Sequence, residues 1–306
     1  MSLRKKEERR FIVVFLAPAF LLFTAFVFLP AVRALLYSFQ KWDGLGEPRW
    51  VGLANFSRLL RDDTIFLTAL GHNLMLFSIA GGLTIALALF FASVLSQRVH
   101  GAGLFRIVFF FPNVIAMVAI ALLWILLYST TDFGVFNAML VQMRDAAVAA
   151  GLPFPGVELP YPFLQSKHLM FSIIPMIVWS ATGFYMVLFL AAMGGIPQSY
   201  YEAARLEGAT SRQQFFHITL PLMREILVVA AVFMIISMMK YFDPVWVIEN
   251  EIPTRESHVL ATLLYQKVFT EFDMGYASAV AVLLFLIVLG ASAVSLAWSR
   301  KERIEY

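Results

Sequence analysis

Six stretches of this chain are long, apolar and almost bare of charge, and nothing else in the sequence constrains its fold as strongly. They cover residues 11–29, 68–95, 107–128, 169–193, 226–242 and 276–298. Most approach or exceed the roughly 20 residues that a helix rising about 1.5 Å per residue needs to cross about 30 Å of hydrocarbon. Only His72 and Asn73 interrupt the start of the second, and Lys240 the end of the fifth. Strands of a membrane barrel would alternate polar and apolar side chains over about 10 residues, and these runs do not alternate. A helix satisfies its backbone groups within the segment, so helices are the expected form. The sequence therefore predicts an all-α integral membrane protein with six transmembrane helices.

Composition closes the other routes. The 306 residues are 60% hydrophobic and 14% charged, against about 45–50% and about 25% in soluble domains. A soluble core of this size cannot hide so much apolar surface. Intrinsic disorder does not fit so apolar a chain, and the absence of cysteine excludes a disulfide scaffold. Arg4, Lys5, Lys6, Arg9 and Arg10 precede the first run in the manner of a signal peptide. That run exceeds the roughly 7–15 residues of a signal core and continues through Pro30 towards Leu36, so it reads as an uncleaved span.

Lys and Arg set the expected direction of the spans. With the N-terminus inside, the short inner segments 1–10, 96–106, 194–225 and 299–306 are dense in them, Arg98, Lys301 and Arg303 included. The longer outer segments 40–67, 129–168 and 243–275 are sparser. Both termini are expected on the cytoplasmic side, and the net charge of +3 reflects topology, not a nucleic-acid surface. The expected organisation is an inner tail 1–10, a first span 11–39, an outer loop 40–67, a five-span core 68–298 and an inner tail 299–306.

One inner connection, 194–225, is long and carefully punctuated. Pro197 suits a first helical position, and good helix formers follow as far as Glu207. Gly208 can take the left-handed conformation that ends a helix. Ser211 is read as the cap of a second short helix, and Pro221 as the opening of the next span. Glu202 and Glu207 balance Arg205 and Arg212, with Tyr200, Tyr201, Phe215 and Phe216 interleaved. An interfacial lipid-binding helix would carry a basic polar face. The mixed charge favours a docking surface for a protein.

Glu202-Ala203-Ala204, Gly208 after three further residues, then Ile218 and Leu220-Pro221, resemble the Glu-Ala-Ala loop of bacterial binding-protein-dependent ABC importer permeases. Leu16-Ala17-Pro18, Gly52-Leu53-Ala54-Asn55-Phe56, Phe105-Arg106 with Pro112, and Gly275-Tyr276-Ala277-Ser278-Ala279 are similar to the maltose-type carbohydrate-uptake subfamily, on the side of its maltose-F-type member. Two departures stand out. Glu207 replaces the more usual Asp, and residues 249–256 replace a frequent Gly-Gly-Pro stretch, so that outer loop is expected to be shaped differently.

The resemblance implies a type I importer permease fold in the bacterial inner membrane. It implies a second permease subunit, two ATP-binding subunits, an extracytoplasmic substrate-binding protein and a sugar or polyol as cargo. Glu202, Ala203, Ala204, Glu207, Gly208, Ala209, Phe215, Ile218, Leu220 and Pro221 would then couple to the ATPases. No cofactor is expected on this chain, ATP and Mg²⁺ residing on the partners. A glycerol-phosphate importer and an ion-coupled carrier are the alternatives.

The residues agree with a passive pathway. The sequence contains no G-x-x-x-x-G-K-[ST] loop, no G-x-S-x-G elbow and no metal-ligand spacing among its five histidines, so no enzymatic chemistry is expected. The spans carry no carboxylate for ion coupling. His72 and Asn73 read as hydrogen bonders between helices. Sugars present CH faces to rings and hydroxyls to small polar groups. Asn113, Trp124, Trp179, Ser180, Tyr185, Ser237, Tyr241 and Ser278 are the expected pathway residues. Lys240 and Asp243 are expected to pair with each other. The outer segment carries an expected amphipathic helix over 135–150.

Overall fold

In the computed structural model, residues 3–97, 100–131 and 133–300 are described; Arg98, Lys301 and Arg303 lie outside them. Among the described residues, five helices are long and apolar enough to cross a membrane: Arg10–Tyr37, Thr64–Leu95, Ser166–Gly194, Arg224–Ile248 and Met274–Ser295. Several begin before the apolar run, because Thr64 and Ser166 can open a helix that the hydrophobic pattern detects only later.

The third span departs from the expected continuous helix over 107–128. It is two helices, Ala102–Val114 and Met117–Leu127, bent by 98°. Pro112 leaves the carbonyl four residues earlier without its helical donor. Ile115 and Ala116 then turn extended, with ψ of 138° and 132°. Broken backbone at membrane depth persists where it is enclosed by protein or lines a cavity.

The chain divides into two compact units, Met1–Thr64 with Leu264–Leu286, and Ile65–Leu263 with Ile287–Tyr306. In the first, the apolar stretch of the initial span has no buried residue. A two-residue hairpin ladder pairs Gln40 with Trp50 and Lys41 with Arg49. Asn55 Nδ2 donates to the carbonyls of Ser38 (3.0 Å) and Gln40 (2.8 Å), fixing the helix Ala54–Arg61. Arg58 bonds Asp273 at 2.7 Å and lies 4.3 Å over the ring of fully buried Tyr276, whose hydroxyl donates to Asp63. The helix Ala54–Arg61, in which most of the Gly52–Phe56 motif lies, thus meets Tyr276 of the Gly275–Ala279 motif through Arg58, in one network of charge and ring.

The second unit is built around Ser166–Gly194, against which Gly82–Leu95 and Ala102–Val114 pack. Ala88, Ala92, Met176, Met186 and Phe189 are fully buried there. Small side chains on one helix facing long ones on another permit close approach without a hydrophobic drive between spans. Asn73, fully buried, donates to Met238 O (2.6 Å) and accepts from Leu260 N (2.8 Å), and His72 Nδ1 bonds His258 O at 2.7 Å. Asn73 joins helices, as the sequence leads one to expect, and His72 ties its helix to the loop that precedes Leu260–Phe269. Asn73→Leu leaves one buried acceptor and one buried donor unpaired, at about 1–3 kcal/mol each. The detergent-solubilised complex should melt several degrees earlier, and an unchanged melting temperature would contradict the bridge.

Candidate functional site

Two places combine geometry with chemistry. The first is a cavity of about 500 Å³ at the break in the third span. Asn113, Ile115 and Met117 reach it from the broken helix, and Ser180, Phe184 and Tyr185 from Ser166–Gly194. Phe233, Ser237, Lys240, Tyr241, Phe242 and Asp243 complete much of the wall from the fifth span and the turn after it. Of the eight expected pathway residues, Asn113, Ser180, Tyr185, Ser237 and Tyr241 line this space. Trp124, Trp179 and Ser278 do not. Trp124 is buried in an aromatic cluster, stacked 5.6 Å from Phe136 and tilted against Trp179 at 6.4 Å. Ser278 is half-buried on the last span, in the other unit.

Lys240 and Asp243 overturn the expectation that they pair. No ion pair joins them; both are exposed, and both line the cavity. The spacing of three would bring them together on a continuous helix, but the helix Arg224–Met239 ends at Lys240, and Phe242 (φ −137°, ψ −64°) breaks the chain before Asp243–Ile248 begins. Lys240 sits at a helix C-terminus and Asp243 at an N-terminus, so each charge has a favourable dipole of its own. These two charges are wall residues that the sequence spacing misassigned.

The turn beyond this helix keeps a glycine-like backbone without glycine. Asn250 and Glu251 have φ of 51° and 67° in the stretch where the resembling family often has Gly-Gly-Pro. Glu249, half-buried beside them, accepts from Ser166 Oγ at 3.1 Å. Burial pushes its carboxyl pKa up, against the lowering effect of that hydroxyl.

The second place is the 194–225 connection. Pro197 is the cap before the helix Gln198–Leu206, not its first residue. Gly208 ends that helix at φ +81°, with Gly208 N bonding Arg205 O (3.0 Å) and Ala209 N bonding Ala204 O (2.9 Å). This is the paired closure of a Schellman turn. The next cap is Thr210, one residue earlier than expected. Its side chain accepts from Gln213 N, and Gln213 Oε1 accepts from Thr210 N, a capping box. Ser211 is the first helical residue instead. Pro221 lies in a short turn, Leu220–Leu222, and the span opens after it at Arg224.

The corner is braced across its width. Tyr201 Oη bonds Thr219 Oγ1 at 2.9 Å, and Gln214 Nε2 donates to Ala209 O at 3.1 Å. The segment Phe215–Thr219 winds as a π-helix, an insertion often found at functional sites. Among the expected coupling residues, Glu202, Ala203, Glu207, Gly208 and Pro221 are exposed. Ala204, Ala209, Phe215, Ile218 and Leu220 are half-buried, on the side of the brace. Leu206 is 89% exposed, one turn after Glu202 and Ala203. Sequence reasoning passed over it because a leucine in a helix reads as a core residue.

Comparison with known proteins adds to this geometry. Residues 84–300 match the family described as binding-protein-dependent transport system inner membrane component. A probable ABC transporter permease, YurN of Bacillus subtilis (strain 168), is 33% identical over 283 residues, covering 91% of this chain and 92% of its own. The multiple sugar-binding transport system permease MsmF of Streptococcus mutans serotype c is 27% identical, covering 99% of this chain and all of its own. The crystal structure of a bacterial ABC transporter that imports the acidic polysaccharide alginate contains a chain matching with a TM-score of 0.80 at 21% identity, over 99% of both chains.

Proposed function

Since this chain belongs to the family of binding-protein-dependent transport system inner membrane components, we propose that it lines the path of a sugar through an ATP-driven importer and takes its drive through the 194–225 connection. As an ABC importer permease it is a transport subunit, and membership in this family sets aside the ion-coupled carrier. The observation that carries the sugar reading is the cavity wall. Rings from Phe184, Tyr185, Phe233 and Tyr241 alternate with the amide of Asn113, the hydroxyls of Ser180 and Ser237, and the charges of Lys240 and Asp243. Rings suit the CH faces of a sugar, while a donor and an acceptor suit its hydroxyls. The volume of about 500 Å³ lies in the range that bound small molecules occupy. The relative named for multiple-sugar transport supports the same class.

On this reading the chain sits in a bacterial inner membrane with both termini in the cytoplasm, beside a second permease. An extracytoplasmic binding protein delivers the cargo, and two ATP-binding subunits carry ATP and Mg²⁺. Glu202, Ala203 and exposed Leu206 form the surface presented to an ATPase groove, with the braced corner behind them as the lever. Closure of the ATPases on ATP draws the coupling helices together and turns the pathway outward. Hydrolysis resets it.

A glycerol-phosphate cargo is the second reading, favoured by the unpaired cation of Lys240. The two readings separate on removal of the wall charges. A neutral sugar uses Lys240 as donor and Asp243 as acceptor, so Lys240→Gln and Asp243→Ala should each lower uptake about tenfold, the weight of roughly one hydrogen bond to a charged group. A phosphorylated cargo loses uptake with Lys240→Gln and gains with Asp243→Ala. Uptake of radiolabelled cargo into proteoliposomes, with the binding protein in excess, reads both. Unchanged uptake in both variants would remove the cavity from the pathway.

A further inference from the structure

The outer helix Val135–Ala149 carries a face that the rest of the chain does not cover. Its inner side holds Phe136, Asn137, Leu140, Val141, Arg144 and Ala147, and the opposite side is exposed. Val135, Met139 and Met143, spaced by four, are 49%, 54% and 61% exposed, with Ala146 between them on the same face. Leu152 exposes a further apolar side chain past the last turn, and Phe133, 84% exposed, stands just before the first.

Where this helix starts is fixed. Phe136 packs on Trp124 and Tyr128, at the outer end of the third span, with centroids at 5.6 and 5.0 Å. Asn137 Nδ2 donates to Ser129 O (3.0 Å) and Tyr161 O (3.1 Å), and its Oδ1 accepts from Tyr161 N (2.7 Å). Tyr128 in turn bonds Ser172 O on the fourth span at 2.7 Å. The first turn is therefore held at the level where Trp124, Tyr128 and Tyr161 gather, the depth that aromatic residues favour at a membrane surface. Leu122 and Leu126 of the third span, which ends at this level, are exposed apolar residues as well.

We propose that this helix lies in the outer leaflet of the bilayer, with its Val135–Met139–Met143 side among the lipid chains and its Asp145 side in water. Its chemistry favours lipid over a protein partner. Protein hot spots draw on Trp, Tyr and Arg, but the outward face offers Val, Met and Ala with a single polar side chain, Gln142. The helix's only charges, Arg144 and Asp145, satisfy each other at 2.9 Å. Met143 and Asp145 stand about 160° apart around the axis, so one side can be immersed while the other is wet. No excess of cations is present, so the seat depends on apolar burial and not on anionic headgroups.

Because the chain has no cysteine, single variants can report depth. Met139→Cys, Met143→Cys and Asp145→Cys would each be spin-labelled in the assembled importer, its other subunits freed of reactive thiols, in phosphatidylcholine nanodiscs. Collision with oxygen, which concentrates in lipid, is compared with collision with a water-soluble nickel chelate. The expected oxygen-to-nickel ratio is several-fold higher at 139 and 143 than at 145, and it persists when phosphatidylglycerol is added. Equal and high nickel access at all three positions overturns the proposal, because the helix then stands in water. Low access to both relaxants at 139 and 143, with or without the binding protein, overturns it in favour of a protein partner.

Discussion

Gly183→Ala is expected to lower the melting temperature of this protein by several degrees, although it adds a single methyl group. A Cβ at position 183 would lie 1.9 Å from the carbonyl oxygen of Phe109 and 2.8 Å from the Cα of Phe110. Both are backbone atoms of the helix Ala102–Val114, so no side chain can swing aside. Relief requires that helix to move away from Ser166–Gly194 as a body. Overpacking of this kind costs about 3 kcal/mol or more when backbone must shift, which in a domain of a few hundred residues lowers Tm by roughly 6 °C or more. The displacement also carries Asn113 and the break at Ile115 with it, so the cavity changes shape together with the packing. Size-exclusion profiles of detergent-solubilised complex, followed over a temperature ramp, give the readout. A Gly183→Ala complex that stays monodisperse, melts normally and transports normally would refute the close approach.

This contact also shows what the sequence made legible and what it did not. The apolar runs located five spans and most of their ends to within about a turn, although the first and fifth helices continue eight and six residues past their runs, because the length of an uncharged run measures what a bilayer requires. His72 and Asn73 were legible for the same reason: a polar side chain in such a run must find a partner. The break in the third span left only Pro112 as a local sign. Its depth depends on Gly183, some seventy residues away, letting one backbone lie against another, and no periodicity records such a contact. Lys240 and Asp243 were misread because spacing on a helix presumes that the helix continues, and here it ends between them. The cap at Thr210 was readable after all. Thr210 and Gln213 have the spacing of a capping box, but Ser211 beside them is an equally good cap by residue type. In the 194–225 connection the sequence placed the corner correctly, since Gly208 is a glycine where a left-handed residue is needed. It could not show the brace from Tyr201 to Thr219, which joins residues eighteen apart.

That brace determines what Gly208→Val should do. Gly208 has φ +81°, and a Cβ there would meet nothing within 4 Å, so the substitution causes no clash. Its cost is backbone strain, about 1–3 kcal/mol for a non-glycine residue held left-handed and worst for a β-branched one. The spans do not depend on this corner, so insertion and assembly should survive. The strained turn, however, can relax only by opening the Gly208–Arg205 and Ala209–Ala204 bonds, and that frees the helix Gln198–Leu206 from the segment it is braced against. On the proposed coupling, a loosened lever would absorb ATPase movement instead of passing it to the spans. The expected result is a complex that retains ATP hydrolysis while uptake falls at least tenfold, so that more ATP is consumed per molecule imported. Gly208→Asn should recover much of the uptake, because asparagine tolerates the left-handed region where valine does not. Paired measurements of hydrolysis and uptake in proteoliposomes decide the matter. Normal uptake in Gly208→Val would show that the 194–225 corner is not the coupling element. Equal loss of uptake in the valine and asparagine variants would show that the position matters for contact and not for stiffness.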